Sequence, residues 1–368
     1  MKFYIIAGEA SGDMHAANLV RSLKQVIPKA QFRGWGGDQM SAQGVDLVKH
    51  YKELAFMGFV EVISNLRTIL KNIDQCKKDI ASYKPDAVIL VDYPGFNLRI
   101  ATYIKKQGIP SIYYISPQIW AWKQSRVHAI KRDVDLMLVI LPFEQEFYNR
   151  FGMDVKFVGH PLLDALPLNS TEKSEQEKFH SDKKCIALLP GSRVQEIKSM
   201  LPVMLHMCKH FPEFHFVIAA ANHVPSSLYE KYTNGIENIE IAYNRFYDVL
   251  KQAHAALVTS GTATLETALM NVPEVVCYKG NLISYWIARK LIKVQYISLV
   301  NLISDKEVVK ELIQDDFNET NLKLALQSLL DINQRENLIA NYDQLRIKLG
   351  SSGASERAAN YIIQHLQQ

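Results

Sequence analysis

Short, unbroken apolar runs alternate with longer stretches in which apolar side chains recur every three or four residues, and this alternation repeats along most of the chain. In the first half the runs are Phe3 to Ala7, Gln31 to Trp35, Ala87 to Val91, Ser111 to Ile115 and Leu136 to Leu141. They are short enough for strands and apolar enough to be buried on both faces. After the first run, Leu19, Val20 and Leu23 keep helical spacing. Strand and helix in repeated succession predict a parallel sheet covered by helices on both sides. Lys156 to Val158 adds one more short strand. Residues 167–184 break the pattern, being polar and charged with few apolar anchors, and are expected to form a linker or surface helix at a domain boundary. The alternation then restarts with strands at Cys185 to Leu189, Phe214 to Ala219, His254 to Thr259 and Glu274 to Tyr278, and a helix from Val194 to His210.

The expected class is therefore α/β, with two Rossmann-like domains at 1–166 and 185–349, joined by the linker 167–184. A final helix, Ala354 to Leu366, follows the flexible joint Gly350-Ser-Ser-Gly353. Residues 350–368 are expected to pack on an N-terminal domain, the chain's own or that of a second copy, which leaves a homodimer open.

Composition narrows the picture. The chain has 368 residues, more than one core usually supports, and 48% of them are hydrophobic, which excludes a disordered chain. A net charge of +4 is too small to argue for nucleic acid. Cys76, Cys185, Cys208 and Cys277 form no CxxC and fit reduced thiols in a cytoplasmic protein. No run approaches the ~18 apolar residues of a membrane span, so membrane contact would be peripheral. Met1 to Gly8 is too short in apolar residues for a signal peptide and is expected to be the first strand.

Candidate chemistry gathers at the turns. In Val258-Thr-Ser-Gly-Thr-Ala-Thr-Leu-Glu266 a strand runs into a helix through Ser260, Gly261 and Thr262, so free backbone N–H groups and the positive end of the helix dipole would face an anion. Glu266, one turn on, is spaced for a ribose hydroxyl. Pro190-Gly191-Ser192-Arg193 repeats the arrangement and adds a guanidinium able to fork onto a diphosphate. Ordinary helix capping competes at both places, by Ser260 and Thr262 at one and by Ser192 with Gln195 at the other. The turn Gly8-Glu-Ala-Ser-Gly-Asp13 sets Glu9, Ser11 and Asp13 at the carboxyl end of the first strand but lacks a GxGxxG fingerprint. Ser11 or Asp13 would equally serve as caps. Asp92 ends its strand beside a proline turn, as a general base or as a helix cap in competition with Asn97. No Walker lysine, DxD pair or HExxH accompanies these turns, so no metal and no cofactor is expected.

Other features stay open between two uses. Phe59, Val60, Val62, Ile63, Leu66, Ile69, Leu70 and Ile73 make a broad apolar stripe edged by Arg67, Lys71 and Lys78, which suits a core helix or one lying in a membrane surface. Trp120 and Trp122, with Lys123 and Arg126, form either a substrate clamp or a packing knot. His160 either donates to a substrate oxygen or turns the chain, and Asn301 either faces a ligand or satisfies backbone groups. Residues Tyr285 to Ile292 are amphipathic and cationic.

Eight motifs carry a resemblance across almost the whole chain: Gly8-Glu-Ala-Ser-Gly-Asp13, Met57-Gly-Phe-Val-Glu-Val62, Ser116-Pro-Gln-Ile-Trp-Ala-Trp122, Leu141-Pro-Phe-Glu144, Gly159-His-Pro161, Leu189-Pro-Gly-Ser-Arg193, Ser260-Gly-Thr-Ala-Thr-Leu-Glu266 and Ser298-Leu-Val-Asn-Leu302. In this order they resemble the lipid-A-disaccharide synthases, glycosyltransferases of the GT-B fold. The resemblance implies two Rossmann-like domains facing across a cleft, and transfer of a diacylglucosaminyl group from UDP-2,3-diacylglucosamine to 2,3-diacylglucosamine 1-phosphate, lipid X. It further implies Gly191, Ser192, Arg193, Ser260, Gly261 and Thr262 on the diphosphate with Glu266 on the ribose. Asp92 is then the base with Glu9 its rival, and Asn301 positions a substrate. Ser11, Trp120, Trp122 and His160 would contact substrate. The stripe through Val60, Val62, Ile63, Leu66, Ile69 and Leu70 would dock on the inner face of the inner membrane.

Two positions depart from the family pattern. Gly95 stands where a second acidic residue is usual, which weakens any scheme with two carboxylates. Val300 replaces a common proline. Rival readings are another GT-B enzyme, such as a UDP-N-acetylglucosamine epimerase or a glycan transferase, and a non-catalytic phosphoglycolipid-binding protein.

Overall fold

A computed structural model describes residues 1–53, 66–166, 179, 182–280 and 294–368. The chain divides into two compact units, one of Met1–Ala165 with Leu349–Gln368, the other of Leu166–Lys348.

The first unit is built on a seven-stranded sheet of β1 (Lys2–Ala7), β2 (Gln31–Gly36), β3 (Asp46–His50), β4 (Ala87–Val91), β5 (Ser111–Tyr114), β6 (Leu136–Val139) and β7 (Lys156–Phe157), in the order β3-β2-β1-β4-β5-β6-β7. Every neighbouring pair is parallel. Helices must therefore carry the chain back between strands, and they cover the faces. Phe3 to Ala7 and all of β4 have no exposed surface, which is why their sequences are apolar without alternation.

The winding reverses between β1 and β4. From β1 the chain crosses to β2 on one side, while β4 opens the series that runs to the other side. Ala7 of β1 and Val91 of β4 are register partners, so the segments beginning at Gly8 and Asp92 leave the sheet at the same level.

The second unit repeats this plan in six parallel strands, β8 (Cys185–Leu189), β9 (His215–Ala220), β10 (Ile239–Tyr243), β11 (Ala253–Thr259), β12 (Glu274–Tyr278) and β13 (Lys310–Ile313). Their order is β10-β9-β8-β11-β12-β13, with the reversal between β8 and β11. Leu189 pairs with Val258, so the glycine turns after β8 and β11 also emerge side by side.

The apolar runs gave no sign of β3, β10 or β13. Each is an outer strand of its sheet and only partly buried, so its sequence mixes charged and apolar residues, as in Lys310-Glu-Leu-Ile313.

The helix Ala354–Leu366 packs on the helix Ala10–Val26 of its own unit, and its Ala354, Ala358 and Ile362 are fully buried. Asp164 caps it from the far side of the sequence. Its carboxylate accepts the backbone N–H of Gly353 at 2.5 Å, Ser355 at 3.0 Å and Ala354 at 3.3 Å. These three donors are among the unpaired amides of the helix start, and a carboxylate there also complements the helix dipole.

Candidate active site

In the first unit the site is assembled by the turn after β4. Asp92 and Tyr93 both have positive φ, 44° and 47°, a conformation rare for residues with a side chain and found where surrounding contacts impose it. The contacts are visible. Asn97 donates its amide to the carbonyls of Asp92 at 2.8 Å and Val91 at 3.2 Å, the Tyr113 hydroxyl donates to the Asp92 carbonyl at 2.6 Å, and the Asp92 N–H donates to Tyr114 at 3.1 Å. Asn97 therefore ties the turn and is not a helix cap in competition with Asp92. Across the gap Gly8 packs under the Tyr93 ring, where an added Cβ would lie 2.3 Å from ring carbons.

The Asp92 carboxyl is held in this corner, half-buried. Burial first, and then the negative charge of Glu9, push it up to about 7, against a smaller opposing pull from a backbone bond at Tyr93. A carboxylate poised there can take a proton from a hydroxyl near neutrality. Glu9 is the N-cap residue of helix Ala10–Val26 but makes no side-chain cap bond, and it is exposed, as is Ser11. The structure thus brings Glu9, Ser11 and Asp92 to one sheet edge. Asp13 leaves this group. It is buried and caps the next helix, Asp38–Ala42, by accepting from Gly37, Gln39 and Met40 at 2.7 to 3.2 Å.

In the second unit the turn after β11 is open. Ser260 donates its N–H to Cys277 at 2.9 Å, while Gly261 and Thr262 are exposed at the start of helix Thr262–Leu269. Among the described residues no backbone acceptor pairs with the N–H groups of Gly261, Thr262 and Ala263. A Cβ at Gly261 would meet nothing within 4 Å. This is the free helix start that suits an anion.

The turn after β8 differs from expectation. Ser192 and Gln195 do not form the cap. Arg193 is the N-cap, and Glu196 accepts the N–H groups of Ser192 at 3.0 Å and Arg193 at 3.2 Å. The same carboxylate also pairs with the Arg193 guanidinium at 3.2 Å, whose side chain stays 57% exposed. Gly191, at φ 102°, lies against Glu196, where a Cβ would fall 2.5 Å from its Oε2. The amides of Ser192 and Arg193 are thus taken by the chain's own carboxylate, and only the guanidinium is presented outward.

Glu266 is half-buried in helix Thr262–Leu269, its carboxyl raised by desolvation and opposed by a hydrogen bond from Tyr247. Tyr247 was not foreseen, because nothing but proximity in the fold joins it to Glu266, and Glu196 was visible only as an acidic residue three positions after Arg193.

Three other candidates turn out to be structural. Asn301 is fully buried with its amide fully engaged, accepting from Val308 at 2.7 Å and Val309 at 2.9 Å, and donating to Val309 and Glu311 at 2.9 Å each. It fastens its helix to β13 and offers no polar atom to a substrate. His160 is buried, kept neutral by desolvation that drives it down to about 3 with a further push from His15. Its Nδ1 accepts from the Leu162 N–H at 3.2 Å and its backbone N–H donates to the Leu349 carbonyl at 3.2 Å, so it turns the chain. Trp120 is buried, donates to Glu144 at 3.2 Å and packs edge-on to Phe143. Trp122, by contrast, is 43% exposed, with the Lys123 ammonium 4.7 Å and the Arg126 guanidinium 5.2 Å from its ring.

Of the apolar stripe, Val60, Val62 and Ile63 lie outside the described residues, as does the segment Tyr285 to Ile292. Leu66 opens the helix Leu66–Tyr83, in which Ile69 is half-buried and Leu70 is 54% exposed beside exposed Arg67 and Lys71. Ile73 departs from the stripe and joins Cys76 and Ile80 in the core. Among the described residues no helix is long and apolar enough to cross a membrane, and no three His, Cys, Asp or Glu side chains group as metal ligands.

Residues 3–365 match the family model described as lipid-A-disaccharide synthetase. The lipid-A-disaccharide synthase of Syntrophus aciditrophicus (strain SB) is 42% identical over 364 residues, covering 96% of this chain and 95% of the relative. That of Nitrosococcus oceani is 42% identical over 371 residues, covering 99% and 96%. Among solved structures, the UDP-GlcNAc 2-epimerase from Neisseria meningitidis bound to UDP-GlcNAc aligns with a TM-score of 0.71 at 14% identity, over 99% of this chain and 100% of that one. MurG from Acinetobacter baumannii aligns with a TM-score of 0.61 at 14% identity, over 99% of each chain. At such identity the likeness is one of fold, the GT-B type with two Rossmann-like domains.

Proposed function

The chain belongs to the lipid-A-disaccharide synthetase family, and on that premise we propose how its own residues carry the reaction. It joins UDP-2,3-diacylglucosamine to lipid X, giving the β-1,6-linked disaccharide 1-phosphate and UDP. The acceptor 6-hydroxyl attacks C1 of the donor sugar, the bond from C1 to the diphosphate oxygen breaks, and UDP leaves. Asp92 takes the hydroxyl proton. A donor of α configuration and a β product require inversion, so one displacement and one base suffice and no covalent intermediate forms.

The second unit holds the donor. Gly261 and Thr262 offer their amides to the diphosphate, Arg193 adds its guanidinium, and together they stabilise the charge that grows on the leaving group. Glu196 keeps Arg193 in place while filling the amides beside it. The Ser192 amide is therefore not free for the diphosphate, and Gly191 shapes the turn. Glu266 takes the ribose hydroxyls. The first unit holds the acceptor, with Glu9 and Ser11 beside Asp92 and with Trp122, Lys123 and Arg126 as a cationic aromatic corner for a phosphorylated sugar.

Acylated sugars reside in a bilayer, so the chain works at the inner face of the inner membrane as a peripheral protein, with Leu70, Arg67 and Lys71 on the docking face. The observation that carries the reading is that Glu9 and Asp92 in one unit, and Arg193 and Gly261 in the other, stand at winding reversals, on turns that leave neighbouring strands in register, where open α/β sheets bind their ligands. The test is to incubate the protein with UDP-diacylglucosamine with and without lipid X. UDP release that depends on the acceptor supports it, and release without acceptor, or none at all, refutes it.

A further inference from the structure

We propose that Tyr247 is a positioning residue for the nucleotide, holding Glu266 so that the carboxylate oxygen left over meets the ribose diol. The inference rests on the reading of Glu266 as the ribose ligand and adds the group that aims it.

Tyr247 is the second residue of the helix Phe246–Gln252, which connects β10 to β11, whereas Glu266 belongs to the helix that follows β11. The phenol O–H of Tyr247 donates to Glu266 Oε1 at 2.7 Å. Among the described residues the other oxygen, Oε2, has no hydrogen-bond partner. A glutamate side chain has several rotatable bonds, and fixing it only when ligand arrives costs conformational freedom. A short bond from a tyrosine, itself braced edge-on against Phe246 with ring centroids 5.2 Å apart, fixes it beforehand.

The donor is also the right kind. A phenol gives one proton and favours the ionised carboxylate, opposing the burial that pushes Glu266 towards its neutral form. A neutral carboxyl would direct its own proton at one of its neighbours, while an ionised one keeps Oε2 a pure acceptor. One acceptor oxygen held in place discriminates a ribonucleotide from a nucleotide that lacks one hydroxyl.

The experiment is titration calorimetry on the full chain with UDP, 2′-deoxy-UDP and 3′-deoxy-UDP. A hydrogen bond to a charged group is worth enough that the native protein should prefer UDP over the weaker deoxy analogue by about tenfold or more. Glu266→Ala should reduce this ratio to about one, and Tyr247→Phe should lower it by about threefold or more while UDP itself still binds. If Glu266→Ala keeps the native ratio, the ribose reading itself is wrong. If Glu266→Ala abolishes the ratio but Tyr247→Phe leaves it native, Glu266 is the ribose ligand and Tyr247 does not aim it. Equal weakening of all three nucleotides by Tyr247→Phe would show that the tyrosine merely supports the fold, and would overturn the proposal.

Discussion

Glu9 and Asp92 follow the register partners Ala7 and Val91 on neighbouring strands, and the charge of Glu9 adds to burial in pushing the Asp92 carboxyl up to about 7. A base works only when ionised, so if Asp92 has that role kcat/KM should rise with pH through about 7 and level off above it. Glu9→Gln removes the repulsion and should move that rise to lower pH. Asp92→Asn should lower kcat by about 10² to 10⁴, the range of general-base contributions. Steady-state rates from pH 5 to 9 check all three.

The same raised carboxyl works in the opposite sense on folding. A group whose pKa is higher in the folded than in the unfolded chain favours the fold while protonated, and that contribution disappears as pH rises through the folded value, here about 7. Asp92→Asn should therefore melt above the native protein at pH 8, with the gap narrowing as pH falls towards the ordinary carboxylate range. Calorimetric melts at several pH values measure it.

The two turn glycines, Gly191 and Gly261, should respond differently to alanine. Gly191 sits at φ 102° with Glu196 in the way of a Cβ, so Gly191→Ala should cost about 1–3 kcal/mol of stability. Gly261 has extended backbone, φ 164°, and open space around it, so Gly261→Ala should leave the melting temperature nearly unchanged. If Gly261 admits the diphosphate, the same change should weaken UDP by about tenfold, a loss comparable to one charged hydrogen bond. Paired melts and UDP titrations separate the two effects.

The tryptophans offer a second contrast. Trp120→Ala removes a buried ring and leaves Glu144 without its indole donor, so a loss of about 3–5 kcal/mol is expected. Trp122→Ala should barely move stability and should instead raise the KM for lipid X. Denaturant unfolding alongside kinetics with varied acceptor distinguishes them.

On helix Leu66–Tyr83, Leu70→Ser combined with Lys71→Glu should reduce sedimentation with anionic vesicles and leave folding intact. Ile73→Ser, at a core position, should instead destabilise the protein. Native binding that falls as salt rises would show that the charged edge takes part.

These outcomes depend on a division between what a sequence displays and what only a fold reveals. Inner strands such as Ala87-Val-Ile-Leu-Val91 are legible because burial on both faces demands unbroken apolar sequence. Outer strands such as β10 and β13 carry charge for the same physical reason in reverse. Glycine turns after strands announce anion sites, but not whether an internal carboxylate already fills them, as Glu196 does beside Arg193. Asn301, His160 and Trp120 mislead because a polar atom that closes a buried network looks the same in sequence as one waiting for a ligand. The bond between Tyr247 and Glu266 joins two connections of one sheet and is encoded in no local pattern.

Asp164 grips the start of a helix that is made only after residues 166–348, and the unit to which both belong brackets the whole of the other unit in sequence. Synthesis and folding must then run in different orders. Residues 166–348 supply strands β8 to β13 before the first unit receives the helix Ala354–Leu366, so the side of helix Ala10–Val26 on which it packs stays uncovered until that later segment has been made.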